Sequence, residues 1–217
     1  MNASHQERLS ELAKVAINVG VGLQRGQELV MTAPVDAVPL VRLITEEAYK
    51  AGASLVTTLY SDDQTTLQRF RYASDDTFDK ASGWLFDGMA AAFRSGAARL
   101  AVLGEDPSLL SEQDPTKVAR ANRARSAAYK PALELIVGFD VNWSIVSYAT
   151  PAWAKAVFPN DPEPVALARL WDAIFAASRV GGADTVAAWK RHNDALHART
   201  EWLNGKRYAA LHFRGPV

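Results

Sequence analysis

Two hydrophobic periods take turns along this chain. Leu9, Leu12, Ala16, Val19 and Leu23 recur at helical spacing, and Ser4 followed by Glu7 is a capping-box signature. Together they predict a helix from Ser4 to about Val21, closed by Gly20, Gly22 and Gly26. The short apolar run Glu28 to Thr32 predicts a buried strand. Pro34-Val35-Asp36 then leads into a helix over about Pro39 to Lys50, which Gly52 stops. Ser54 to Tyr60, rich in Leu, Val and Thr, is the second strand.

The alternation continues. A helical piece runs to about Tyr72, and a longer helix is predicted from Thr77 to Ser95, with Ser74 to Asp76 offering caps. Arg99 to Leu103 is the third strand. Asp114-Pro115 opens a helix to Lys130 that should break or kink near Pro131. Trp143 to Tyr148 is the fourth strand, and Thr150-Pro151 starts a short helix through Val157. The turn Phe158-Pro159-Asn160-Asp161-Pro162 introduces another helix, roughly Pro164 to Arg179. Strands alternating with helices predict an α/β fold: a mainly parallel sheet of about four to five strands flanked by helices, with a helical C-terminal extension.

That extension, Thr185 onwards, carries a mixed stripe. Trp189, His192, Leu196, Arg199 and Leu203 fall within one arc of a helix. A face that joins apolar, imidazole and guanidinium groups favours docking over an ordinary core face, because its polar members need partners. Asn204-Gly205 should end the helix. Ala209, Leu211 and Phe213 then alternate with Tyr208, Ala210 and His212, which reads as a strand over Lys206 to Phe213 with nothing after it to pair with. The pattern suggests a cut at a domain boundary.

Composition narrows the classes. The 217 residues are 48% hydrophobic and 22% charged, and 24 Lys plus Arg balance 24 Asp plus Glu, so no nucleic-acid partner is indicated. Absence of cysteine excludes disulfides, thiolate metal sites and thiol nucleophiles for these residues. Without a secretory-type start or a long apolar run, no membrane partner is expected and a cytoplasmic location is the default.

Candidate chemistry is sparse. Asp36, Asp62, Asp63, Glu105 and Asp106 all follow predicted strands, where open parallel sheets gather ligands, so they are candidates for a metal or an acid/base pair. Each also precedes a predicted helix, and capping of free N–H groups is the stronger reading. Of the histidines, His5, His192, His197 and His212, the pair His192 and His197 is five apart, about 140° around a helix, and cannot share a metal. No phosphate loop or nucleophile elbow is present. Lys117, Arg120, Arg123, Arg125 and Lys130 could receive an anion, but with Val118, Tyr129 and Leu133 opposite they read as a solvated face. Trp143, Trp153, Phe158, Trp171 and Phe175 could line a peptide entrance, although Trp171/Phe175 and Trp153/Val157 stand at core-like helical spacing.

The pattern Trp189, His192, Leu196, Arg199, Leu203-Asn204, Leu211 and Gly215-Pro216, with WSIVSYATPAWAKAVFP at Trp143 to Pro159 and the opening LAKVAINVGVGLQRGQELVMTAPVDAVPL, resembles the amino-terminal domain of M29 metallo-aminopeptidases, the aminopeptidase T and aminopeptidase S group. Val217 departs from the usual Gly-Pro-Gly-Thr-Asp continuation. The resemblance implies that residues 1–205 are an amino-terminal α/β domain and 206–217 a first strand or linker into a missing catalytic domain. It implies a peptide hydrolase that removes amino-terminal residues, with two divalent ions (zinc, cobalt or magnesium) activating water in the missing half. No catalytic, cofactor or metal residue is then expected in this chain, which alone should be inactive. It further implies that this domain closes over the site and restricts access to short peptides, and that the protein is a homodimer. The alternatives are a self-contained α/β module holding an anion or peptide near Asp62, Asp63 and Glu105, and an interaction domain using the Trp189 to Leu203 stripe.

Overall fold

A computed structural model describes residues 4–182 and 184–215. Four parallel strands form one sheet: β1 (Glu28–Pro34), β2 (Leu55–Ser61), β3 (Ala98–Leu103) and β4 (Trp143–Ser147), in the order β2-β1-β3-β4. Among the described residues eight α-helices accompany them: α1 (His5–Val15), α2 (Val38–Lys50), α3 (Asp63–Tyr72), α4 (Gly83–Arg94), α5 (Pro115–Val137), α6 (Pro151–Val157), α7 (Glu163–Ala177) and α8 (Thr185–Lys206).

The pleat of β1 divides the core. Leu29, Met31 and Ala33 join residues of α1, α2, α6 and α7 in the larger cluster, where Ile17, Leu40, Ile44 and Leu100 are fully buried. Val30 points the other way, towards Met89 and Phe93 of α4 and Ala132 and Ile136 of α5. A strand buried on both sides reads as a continuous apolar run, which is why Glu28 to Thr32 was legible without alternation. Trp171 and Phe175 stack at 5.2 Å within the larger cluster, both being core as their spacing suggested.

Several boundaries depart from the sequence expectations. The first helix does not stay α-helical to Val21: Ala16–Val21 forms a π turn, ended by Gly22 in the left-handed region. This turn packs closely on β4, where a Cβ on Gly20 would lie 2.6 Å from the Ser144 hydroxyl oxygen. The change of register buries Ile17 completely.

The helix expected from Thr77 to Ser95 is split into a 3-10 turn, Asp75–Asp79, and α4. Two arginines hold that segment. Arg69 donates to the Thr77 and Lys80 carbonyls at 2.8 and 2.9 Å, and Arg120 grips the carboxylates of Asp75 and Asp79. These bonds hold Phe78 fully buried. Helix α5, by contrast, is continuous through Pro131. Exposed Ala127 loses the donor that Pro131 cannot supply, and burial of Ala132 and Ile136 keeps the last turns in place. Leu133, expected on the buried stripe of α5, is 41% exposed.

Helix α8 passes Asn204-Gly205 and ends at Lys206, with Arg207 in the left-handed conformation at φ 50°. The strand expected over Lys206 to Phe213 is not formed: Lys206 is helical, and residues 207–215 contain no strand and are exposed. A strand needs a neighbour for its backbone groups, and none lies beside this segment among the described residues. Gly215 is the last residue described, so the Pro216 and Val217 part of the final segment lies outside the described residues.

Candidate functional site

The strand order places a reversal between β1 and β3, since the chain moves from β1 outward to β2 and then returns to the opposite side. In open parallel sheets the crevice at the carboxyl ends beside such a reversal is the usual ligand site. Gly104, directly after β3, permits the close approach of the segment that follows β4. A Cβ on it would come within 2.5 Å of the Tyr148 carbonyl oxygen, and the buried Thr150 hydroxyl donates to its carbonyl at 2.7 Å.

The five candidate acids lie around these strand ends but do different things. Asp62 caps α3, accepting from the backbone N–H groups of Gln64 and Thr65 at 3.1 and 3.3 Å. The Thr65 hydroxyl first, and then those N–H groups, hold its carboxyl below the ordinary value. Asp63 accepts from the Asp106 N–H at 3.0 Å, which ties the start of α3 to the loop after β3. Asp106 in turn accepts from the Ser108 N–H and hydroxyl, and Glu105 accepts from the Gly104 N–H. Asp36 is exposed in a 3-10 turn, Val35–Ala37. Burial, with the charge of Asp36 beyond it, pushes the Tyr148 phenol up.

A cleft of about 710 Å³ brings Asp63, Glu105 and Asp106 together with Arg69 and Arg125. Asp36 and Asp62 do not line it. The signs are mixed, and Arg69 is already committed to two carbonyls. Among the described residues no group of three or more His, Asp or Glu side chains is placed to hold a metal ion.

A second cleft, about 580 Å³, lies at the other edge of the sheet, beside β4. Its walls are apolar, with Trp153, Leu170, Ile174 and Trp189 facing Ile145 and Val146. Sequence spacing offered Trp153 as a core residue and Trp189 as part of a docking stripe. Both line this cleft together with Val19 and Gly20 of the π turn.

The histidines are dispersed. His5 packs edge-on against Trp171 and Phe175, and burial with the nearby Arg8 charge lowers its pKa against the opposing pull of Asp172. His192 accepts a hydrogen bond through Nδ1 from Arg179 at 3.1 Å. His197 and His212 are exposed. Of the basic run on α5, Arg120 and Lys117 turn towards Asp75 and Asp79, so the segment is partly neutralised by its own chain.

The model of the M29 family, described as thermophilic metalloprotease, matches residues 5–217. The chain belongs to the M29 family. It is 52% identical over 211 residues to aminopeptidase T of Thermus thermophilus, covering 97% of this chain and 52% of that protein. Aminopeptidase 2 of Geobacillus stearothermophilus is 35% identical, with 97% and 51% covered. In three dimensions a solved structure of wild-type AmpT from Thermus thermophilus matches with a TM-score of 0.91 and 50% identity, covering 98% of this chain and 52% of that chain. This M29 chain thus spans about half the length of the curated relatives it matches. The four-stranded α/β architecture is shared with that solved structure, and among the described residues no helix is long and apolar enough to cross a membrane.

Proposed function

We propose that this chain is the amino-terminal, non-catalytic domain of a dinuclear-metal aminopeptidase that removes amino-terminal residues from peptides. The observation that carries the reading is the coverage: the match to aminopeptidase T runs along 97% of the chain yet covers 52% of the relative. In this reading two divalent ions, zinc, cobalt or magnesium, are held by residues outside this chain. The present domain closes over them and limits entry to short peptides, in a cytoplasmic homodimer.

The test is hydrolysis of leucine p-nitroanilide by the pure 217-residue chain. No turnover is expected, with or without added zinc, cobalt or magnesium. Turnover that a chelator abolishes would overturn the non-catalytic reading. The intact mass of the protein from its source cells tests the other part: a value well above 23.6 kDa is expected, and 23.6 kDa itself would refute it.

One observation favours a second reading, a self-contained ligand-binding module: Asp63, Glu105 and Asp106 share one cleft with Arg69 and Arg125. An anion or short peptide that raises the melting temperature, with the gain lost in Asp63→Asn, would support it.

A further inference from the structure

Helix α8 has 22 residues and is therefore about 33 Å long. Only its beginning is built into the domain. Thr185 is fully buried, Trp189 donates its indole N–H to the Ser178 carbonyl at 2.8 Å, and the first turns lie against α1 and the π turn. From Asp194 to Gly215 every residue is exposed.

That outer stretch is not polar. Leu196, Trp202, Leu203, Tyr208, Leu211 and Phe213 are between 36% and 90% exposed. Leu196, Leu203, Arg199 and Trp202 occupy an arc of about 120° on the helix, the width of a normal packing face. A helical stretch of this length with no cover is marginal in water by its own propensity. Yet the solved AmpT structure matches 98% of this chain, α8 included, so the outward course of the helix is shared with a chain about twice as long.

Charge distinguishes the possible occupants. Thr185 to Gly215 holds Lys190, Arg191, Arg199, Lys206, Arg207 and Arg214 against only Asp194 and Glu201, in a chain whose overall formal charge is zero. A second copy of this chain would bring the same cations to a self-complementary contact and be repelled. The face suits a partner with an apolar centre and an acidic rim.

We propose that the distal face of α8, centred on Leu196, Arg199, Trp202 and Leu203, and the tail Tyr208–Phe213 form the seam on which the remaining half of the protein docks. The inference rests on the reading that such a half exists. It differs from the stripe visible in the sequence, because Trp189 and His192 are engaged within the domain while Trp202 and the tail aromatics are free to meet the partner.

Hydrogen exchange on two samples tests it: the protein from its source cells and the 217-residue chain. Amides of residues 196–206 should exchange at least about tenfold more slowly in the source protein. The double substitution Trp202→Asp, Leu203→Asp should remove that protection and lower the melting temperature of the source protein, while leaving the 217-residue chain unchanged. Equal exchange in a source protein of about twice the mass would overturn the seam but leave the fragment reading standing. A source mass of 23.6 kDa would remove both. Protection that arises in the 217-residue chain through dimerisation, and vanishes in the double variant, would name a second copy as occupant and overturn the proposal.

Discussion

Trp189 and Trp202 stand on one helix, thirteen residues apart, and have opposite fates. Trp189 is half-buried, hydrogen-bonded to Ser178, and its ring is approached by the Arg179 guanidinium at 5.6 Å. Trp202 is 61% exposed, with the ammonium of Lys206 of its own helix over its ring. The residue type and the helical context are the same. What differs is whether another layer of the fold lies opposite, and α1, α7 and the π turn end before the second tryptophan is reached. An apolar stripe therefore marks a surface that needs cover without saying which molecule supplies it.

Substitutions can break this comparison, beginning with the largest effect. Trp189→Ala removes packing and strands the Ser178 carbonyl, and denaturant unfolding should show a loss of about 2 kcal/mol. A change within about 0.5 kcal/mol would mean that the proximal half of α8 is no more anchored than the distal half. Thr185→Val acts in the other direction. The Thr185 hydroxyl is buried with no hydrogen-bond partner among the described residues, so its removal should raise stability by about 1 kcal/mol in the same measurement.

His192→Ala deletes an exposed contact with Arg179 and should cost about 0.5 kcal/mol. A loss well above about 1 kcal/mol would move His192 from the rim into the core.

The platform beneath α8 also carries a pH dependence. His5 has its pKa lowered in the fold, chiefly by burial against Trp171 and Phe175, so the folded state favours the neutral ring. Its contribution is present in full above the unfolded value near about 6.5 and fades as the pH falls through the lower folded value. Melting temperature should therefore decline slightly on acidification over that range, and His5→Phe should flatten the decline. Smallest of all, Trp202→Ala in the 217-residue chain should change stability by no more than about 0.5 kcal/mol. A larger loss would show that the outer helix is covered within the chain after all.

Much of the fold was legible because it rests on local chemistry. Ser4 and Glu7 form the capping box with both reciprocal bonds present, and Asp62, Asp114 and Thr150 each accept from the first-turn N–H groups of their helices. All four strands lie within a residue or two of their expected places. The misreadings occur where distant residues intervene. Arg69 and Arg120 bind the segment where the helix expected from Thr77 is interrupted, and Gly20 packs against Ser144 where α1 gives way to the π turn. Pro131 fails to break α5 because burial on its C-terminal side outweighs one lost hydrogen bond. The apparent strand over Lys206 to Phe213 showed only its alternation, and alternation without a neighbouring strand makes no ladder.

The candidate site was less legible than the fold. That Asp36, Asp62, Asp63, Glu105 and Asp106 follow strands could be read directly, as could their aptitude for capping. Which of them share a cleft could not, because that depends on strand order, and strand order leaves no mark on local sequence. The M29 resemblance was carried by spaced residues such as Trp189, His192, Leu196 and Arg199, and the family match over residues 5–217 agrees with it.

By itself, then, the sequence determined the alternation of strands and helices, most caps, the absence of cysteine from these 217 residues and the family. These follow from side-chain periodicity, hydrogen bonding within a few residues, and composition. Only the tertiary structure decided the order β2-β1-β3-β4, the grouping of Asp63, Glu105 and Asp106, and the division of α8 into an anchored and an uncovered half. Those properties depend on which surfaces meet across long sequence separations, and burial is a property of the meeting, not of the residue.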